Sequence, residues 1–285
     1  MTRRSTTFDN YSYVDANVAY PDPVTGKSRE LDLFAMTTER ARAEEYDFVF
    51  LVLLIECINN PQPMAFFTRE RLVDPFFEVD QVKLAGLPVK IAETDKRDEW
   101  SALPNWLKME RYHHYFRGRV ATQFCSFTKK REKDAGWMAS HVEDQFDAFR
   151  KLCVAVDHHR KSHFESWTLG RHESINIEIY YPVLVVQGGL LEIRPRSKGS
   201  FATTSTNHVR FRQSLWSGSE AEDYSIDAIT EKYLPRFVRM VRNEVARTAR
   251  LLRRGHDDVR RSIKKIAREG RGLRSPKKIR RLLEF

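Results

Sequence analysis

The stretch FVFLVLLI at residues 48–55 constrains this chain most. It is eight consecutive apolar residues, far short of the roughly 20 that a bilayer crossing needs, and it lacks the polar alternation of a half-exposed strand. A short run so rich in Val, Leu and Ile is a strand buried on both faces, so the fold must provide a layer of structure on each side of it. Residues 47–57 therefore read as a central strand, ended by the turn-forming NNPQP at 59–63. Near its end the strand carries Glu56, and a carboxylate beside a buried sheet needs a cationic or hydrogen-bonding partner.

The rest of the chain sorts around that strand. Residues 11–20 and 29–35 (RELDLFA) read as strands joined by a PDPVTGKS turn. In the second, Leu31, Leu33 and Ala35 share one face and Glu30, Asp32 and Phe34 the other. Residues 104–116 (PNWLKMERYHHYF) are predicted helical and 119–127 β-prone. Residues 140–159 form an amphipathic helix with Val142, Phe146, Phe149, Leu152, Cys153 and Val156 on one side. Residues 175–186 (INIEIYYPVLVV) are a second strongly apolar strand, followed by a Gly188-Gly189 turn into 190–193. Further strands are expected at 209–212 and 224–229, and a long helix at 230–252 with Leu234, Phe237, Val238, Val241 and Val245 on one side. Strands, a helix and then another core strand indicate an α/β fold, a mixed central sheet flanked by helices.

Charge divides the chain unevenly. Its 285 residues hold 49 Lys+Arg and 39 Asp+Glu, a net of +10, and at 41% hydrophobic the composition is globular rather than disordered. Residues 247–285 contain 15 basic and four acidic residues, a net of +11, whereas residues 1–246 carry −1. The expected organisation is a domain over 1–246, with 60–137 as an insertion, and a basic helical tail over 247–285. In that tail Leu252, Val259, Ile263 and Ile266 recur at helical spacing until Gly270-Arg-Gly272 and Ser275-Pro276. Arg253, Arg254, Arg260, Arg261, Lys264, Lys265, Lys277 and Lys278 are its candidate contacts to a nucleic-acid backbone. An anionic membrane surface and an acidic protein partner are the competing readings. The three cysteines (Cys57, Cys125, Cys153) form no CxxC pair, which argues against a disulfide framework or a cysteine zinc site and for a reducing, cytoplasmic setting. No apolar stretch follows the two arginines at the start, so no secretory signal is expected, and no membrane span.

The chemistry centres on Asp32 and Glu56. If the strands that bear them pair as a hairpin, the two carboxylates converge, and a hard divalent ion with oxygen ligands would satisfy both. From the aromatic strand through PDPVTGK, RELDLFA and LVLLIEC, residues 13–68 resemble the PD-(D/E)xK, restriction endonuclease-like, nuclease superfamily. Residues 140–159 match its helix crossing the sheet, and 175–186 its parallel strand beside the core. The resemblance implies a restriction endonuclease-like core acting on DNA phosphodiesters with Mg2+ or Mn2+, held by Asp32, Glu56 and the backbone carbonyl of Cys57. It also implies a lysine two residues after the glutamate, where this chain has Ile58; an aliphatic side chain can neither donate nor carry charge. Lys151 on the crossing helix and Lys27 in the turn are the alternative cations. A non-catalytic nucleic-acid-binding relative and a protein-interaction module stand beside the nuclease reading, and a homo-oligomer is compatible with any of them.

Other polar residues read more plainly. Gln123, Glu143 and Gln145 are expected on solvated faces. His159 and His163 sit at the i, i+4 spacing of a zinc pair but without the glutamate of HExxH, and read as a charged helix end. His113-His114 reads as a surface or packing pair among aromatics, and Trp100, Trp106, Trp137, Trp167 and Trp216 as core residues.

Overall fold

A computed structural model describes residues 12–22, 26–41, 47–59, 62–71, 81–92, 99–129, 137–140, 143–166, 175–217 and 220–271. In chain order the strands are β1 (Ser12–Pro21), β2 (Ser28–Arg40), β3 (Phe48–Ile58), β4 (Met64–Glu70), β5 (Lys83–Leu87), β6 (Lys90–Ala92), β7 (Trp100–Ala102), β8 (Arg119–Lys129) and β9 (Trp137–Ser140). They continue with β10 (Asn176–Val186), β11 (Leu190–Pro195), β12 (Phe201–Thr206), β13 (His208–Ser217) and β14 (Glu220–Thr230). The helices are α1 (Leu103–Trp106), α2 (Glu143–Ser166), α3 (Leu234–Arg254) and α4 (His256–Arg271).

The apolar run is β3, and it lies inside a twelve-stranded mixed sheet ordered β1-β2-β3-β10-β14-β13-β8-β4-β11-β12, with β5 and β9 off that path. On one side β3 pairs antiparallel with β2; on the other it runs parallel to β10 through an unbroken register from Phe48↔Asn176 to Ile58↔Val186. The far edge of β10 changes partner midway. Its first half pairs with β5 and its last four residues with β14, and Pro182 falls between the two. A proline has no amide hydrogen to give, so the change of neighbour is where it costs least.

Alternation along β3 sends its side chains to two cores. Leu51, Leu53 and Ile55 pack with Ile177, Ile179 and Val183 against Phe237, Val241, Val245 and Leu252 of α3. Val52 and Leu54 pack with Tyr180 and Leu184 against Phe149, Leu152, Cys153 and Val156 of α2. The double coverage demanded by the sequence is therefore supplied by α2 on one face and by α3, α4 and residues 103–116 on the other.

Several expectations are corrected. Residues 104–116 do not form one helix. The chain leaves α1 after a single turn, Lys108 adopts φ 52°, and two 3-10 turns follow, because the side chains of 113–115 are drawn onto carboxylates of the core. Leu31 does not share a face with Leu33 and Ala35: it packs on the α2 side and they on the α3 side. The switch comes at Asp32, opposite a twist in β1 where Asn17 has φ 58°. Residues 60–137 are not a separate insertion, since β4, β5, β8 and β9 all belong to the main sheet. A domain boundary at residue 246 would cut α3, and Leu252, Val259, Ile263 and Ile266 are fully buried, so residues 247–271 are part of the domain. Lys277 and Lys278 lie outside the described residues. No described helix is long and apolar enough to cross a membrane.

The sheet has one weak seam. β13 meets β8 through a single parallel bridge, Phe211↔Ala121. Aromatic packing covers it: Phe149 of α2 sits 4.5 Å from Phe211 and 4.9 Å from Phe124, and Phe66 of β4 closes the cluster. Phe149→Ala should therefore lower the unfolding free energy by about 3–5 kcal/mol in urea titrations. Phe146→Ala, on the same helix but 49% exposed, should stay within about 0.5 kcal/mol of wild type.

Candidate functional site

The β2–β3 ladder ends at the Leu33↔Ile55 pair, so the next residues on the two strands, Asp32 and Glu56, face each other where backbone pairing stops. Asp32 replaces the missing ladder bond with its side chain: its Oδ2 accepts the amide of Cys57 at 2.7 Å. Glu56 turns to the α2 face and is 4% exposed. Its Oε2 lies 3.4 Å from Lys151 Nζ on α2, and its buried Oε1 has no hydrogen-bond partner among the described residues. Burial pushes the Glu56 carboxyl up to about 7; Lys151 opposes that rise and Asp32 adds to it. The Cys57 thiol, exposed beside them, is also raised, first by partial burial and then by the two carboxylates.

Ile58, two residues on, shares the face of Glu56 and packs against the apolar cluster under α2. The cation that reaches Glu56 is therefore on the helix. Lys151 is held by its backbone, whose carbonyl accepts the Tyr20 hydroxyl at 3.0 Å. Next to it Tyr20, Asp22, Arg29, Asp147, Arg150, Lys151 and Val154 close together without room for a water molecule between them. Arg29 does not pair with Asp32. It bridges Asp22 (3.0 Å) and Asp147 (3.1 Å). Lys27 lies exposed in the turn. Gln123 is exposed on β8, as expected, and the side chains of Glu143 and Gln145 lie outside the described residues. His159 and His163 are half-buried, and His163 lies in the last turn of α2, the helix end expected of it. His163 pairs with Glu178 at 2.9 Å, and His159 packs on Phe34.

The nominated tail cations are largely engaged within the fold. Arg253 donates to the carbonyls of Ala41 and Arg40, Arg260 lies 3.6 Å from Asp47, Arg261 pairs with Asp258, and Lys265 sits 5.0 Å over the Trp100 ring. Arg253 reaches the Arg40 end of β2, opposite the start of β3, which places it about 26 Å along the sheet from Glu56. Arg254 and Lys264 are exposed. Exposed Arg236, Arg239, Arg247 and Arg250 join Arg254 on one face of α3 at a three-to-four residue repeat, with Asn243 filling the remaining step. None of the five has a carboxylate partner among the described residues. The ridge is about 27 Å long.

A second ionisable cluster, on the α3 face, was not anticipated. His114 lies between two buried carboxylates: its Nδ1 is 3.0 Å from Glu244 Oε2 and its Nε2 3.1 Å from Asp227 Oδ2. His208 Nε2 is 2.7 Å from Asp227 Oδ1, the Tyr115 hydroxyl donates to Asp227 Oδ2, and the Tyr181 hydroxyl to Glu244. Burial works against a charged His114, but Asp227 and Glu244 outweigh it and push the imidazole up to about 9. Burial also works against a charged Asp227, yet His114 and His208 hold that carboxyl well below its usual range. His113, fully buried beside them, is pushed down to about 4, chiefly by burial. The sequence held a signal for this cluster: Asp227 interrupts the core strand YSIDAI, and Glu244 falls on the buried stripe of α3 between Val241 and Val245. A carboxylate on a core face requires a cation.

Comparison with protein families, with curated proteins and with solved structures finds no match to this chain.

The position of Glu56 sets a pH dependence. A carboxyl raised from 4.5 to about 7 on folding contributes its stability in full below pH 4.5, and that stability is lost as the pH climbs through 7. Between pH 4.5 and pH 8 in EDTA, wild type should lose about 3 kcal/mol relative to Glu56→Gln, read from urea midpoints. Parallel profiles for the two proteins would show that Glu56 ionises as freely folded as unfolded.

Proposed function

We propose that this chain is a metal-dependent nuclease-like protein acting on DNA phosphodiesters at Asp32, Glu56 and Lys151. One observation carries the reading: two carboxylates converge where β2 and β3 part, and a lysine from the helix crossing the sheet reaches the buried one. The parallel β3–β10 pair with α2 packed across it supports the same reading, since it is the layout that the resemblance to the PD-(D/E)xK superfamily implies.

The residues fit a hard divalent ion. The donors are carboxylate oxygens, one oxygen of Glu56 is buried without a partner, and the raised Glu56 carboxyl marks a place short of positive charge. Asp32 and Glu56 would hold Mg2+ or Mn2+ with the adjoining Cys57 carbonyl. Such an ion orients a phosphate and acidifies a water. The chain's own residues do the rest. Asp32 braces the end of β3 through the Cys57 amide, which fixes the spacing of the two carboxylates. Lys151 takes over the task of the lysine that Ile58 replaces, screening negative charge as it develops on the phosphate. Arg150, next to Lys151 on α2, would meet a backbone phosphate.

Plasmid nicking with Mg2+ or Mn2+ tests the assignment. Lys151→Met should slow cleavage by about 10²–10³-fold, the usual effect of removing one transition-state electrostatic interaction. Asp32→Ala should abolish it, and equal cutting by wild type and Asp32→Ala would end the nuclease reading.

The second reading is a protein that binds nucleic acid without cutting it, favoured by Ile58 and by the arginine ridge of α3. Binding on that ridge predicts a salt dependence. Replacing Arg236, Arg239 and Arg247 with Gln should reduce the slope of log affinity against log salt by about 0.9 for each phosphate that is no longer neutralised. Fluorescence anisotropy with a short duplex measures it, and an unchanged slope would remove the ridge from DNA binding.

A further inference from the structure

We propose that His114, His208 and Asp227 form a binding site for a divalent transition-metal ion of the zinc type, on the α3 face of the sheet and separate from the Asp32–Glu56 pair. One ring nitrogen of His114, one of His208 and a carboxylate oxygen of Asp227 lie within 4.8 Å of one another, and it is Nε2 of each histidine that faces Asp227, at 3.1 and 2.7 Å. Two imidazole nitrogens and one carboxylate oxygen are a ligand set for zinc or iron(II) rather than for magnesium, which takes oxygen donors.

The surroundings are those of a metal centre. Glu244 holds the Nδ1 side of His114, which directs Nε2 toward Asp227 and His208; a carboxylate behind a ligating histidine fixes its tautomer and strengthens it as a ligand. Glu244 is itself anchored by the His114 amide at 2.7 Å and by Tyr181. Tyr115 holds the second oxygen of Asp227. Behind His114, and stacked 5.1 Å from it, His113 is fully buried, and its Nε2 has no hydrogen-bond partner among the described residues. The side chains alone do not complete this polar network.

Among the described residues, His208 is the most exposed of the three ligands. Asp227 is fully buried, whereas the His208 side chain is 21% exposed under the ring of Tyr233. An ion entering past His208 would replace the protons that now bridge the imidazoles to Asp227 and keep an outward position for water. Its three ligands come from the 3-10 turn at 114–116, from β13 and from β14, so binding would tie residues 103–116 to the sheet.

The test uses the full chain, tag removed and stripped with EDTA. Wild type should bind one Zn2+ per chain with micromolar or tighter affinity by calorimetry, melt several degrees higher with Zn2+ but not with Mg2+, and give visible d–d bands with Co2+. His208→Ala should fold, because the side chain is partly exposed, and should weaken Zn2+ binding about 100-fold or more. The isosteric Asp227→Asn should do the same. A protein carrying Asp32→Ala and Glu56→Gln should keep the zinc site, which separates this proposal from the fate of the nuclease reading. Absence of stoichiometric zinc binding in wild type overturns it, as does wild-type affinity in His208→Ala or loss of zinc in the Asp32→Ala, Glu56→Gln protein.

Discussion

The parallel ladder between β3 and β10 is the constraint from which the rest of the molecule follows. Eleven residue pairs run without a break, and both strands are apolar on both faces. Parallel neighbours cannot be joined by a tight turn, so the chain must leave the sheet and return, and both faces must be covered before the ladder is stable in water. Here the excursion is long and is used twice. It adds β4, β5, β8 and β9 to the same sheet and then lays α2 across one face on its way to β10. The opposite face waits for α3 and α4 at the far end of the chain. Each covering layer delivers a polar group to the carboxyl end of the parallel strands, Lys151 from α2 and Glu244 from α3.

The two acidic sites at that end resolve the same problem differently. A buried carboxylate is costly unless a cation neutralises it. On the α3 face the charges balance: two carboxylates enclose His114, His208 supports Asp227, and both acids stay ionised. On the α2 face they do not. Lys151 stands 3.4 Å from Glu56 and is 29% exposed, so part of its field is lost to water, while Asp32 adds a second negative charge. The result is a carboxyl pushed to about 7 in one site and carboxyls held below their usual range in the other. A carboxyl left short of positive charge keeps its proton to a higher pH, and perturbed carboxyls of this kind gather at functional sites.

The sequence made the first half of this legible. β3 and β10 announce themselves by apolar runs of strand length, β2 by alternation in RELDLFA, α2 and α3 by stripes of period 3.6, and Asp32 and Glu56 as carboxylates on neighbouring strands. What was hidden depended on partners distant in the chain. Residues 104–116 have ordinary helical composition, yet His114 and Tyr115 gain more from Asp227 and Glu244 than from another helical turn. Those acids sit more than 100 residues away, and no local pattern connects them. The basic segment misled for the opposite reason. Its cations are conspicuous in sequence, but Val259, Ile263 and Ile266 bury one side of α4 and turn Arg260 and Lys265 inward to Asp47 and Trp100. Net charge gives the sum and not the address.

The address matters for any polyanion. The arginines of α3 that remain exposed form a straight ridge on the face opposite α2, and that ridge begins near Tyr233, beside the carboxyl ends of β14 and β3. Glu56 opens toward the α2 face. A strand lying along the ridge could therefore approach Asp32 and Glu56 only by crossing the end of the sheet. The arginine ridge and the Asp32–Glu56 pair therefore lie on opposite faces of the sheet, and its short end is what separates them.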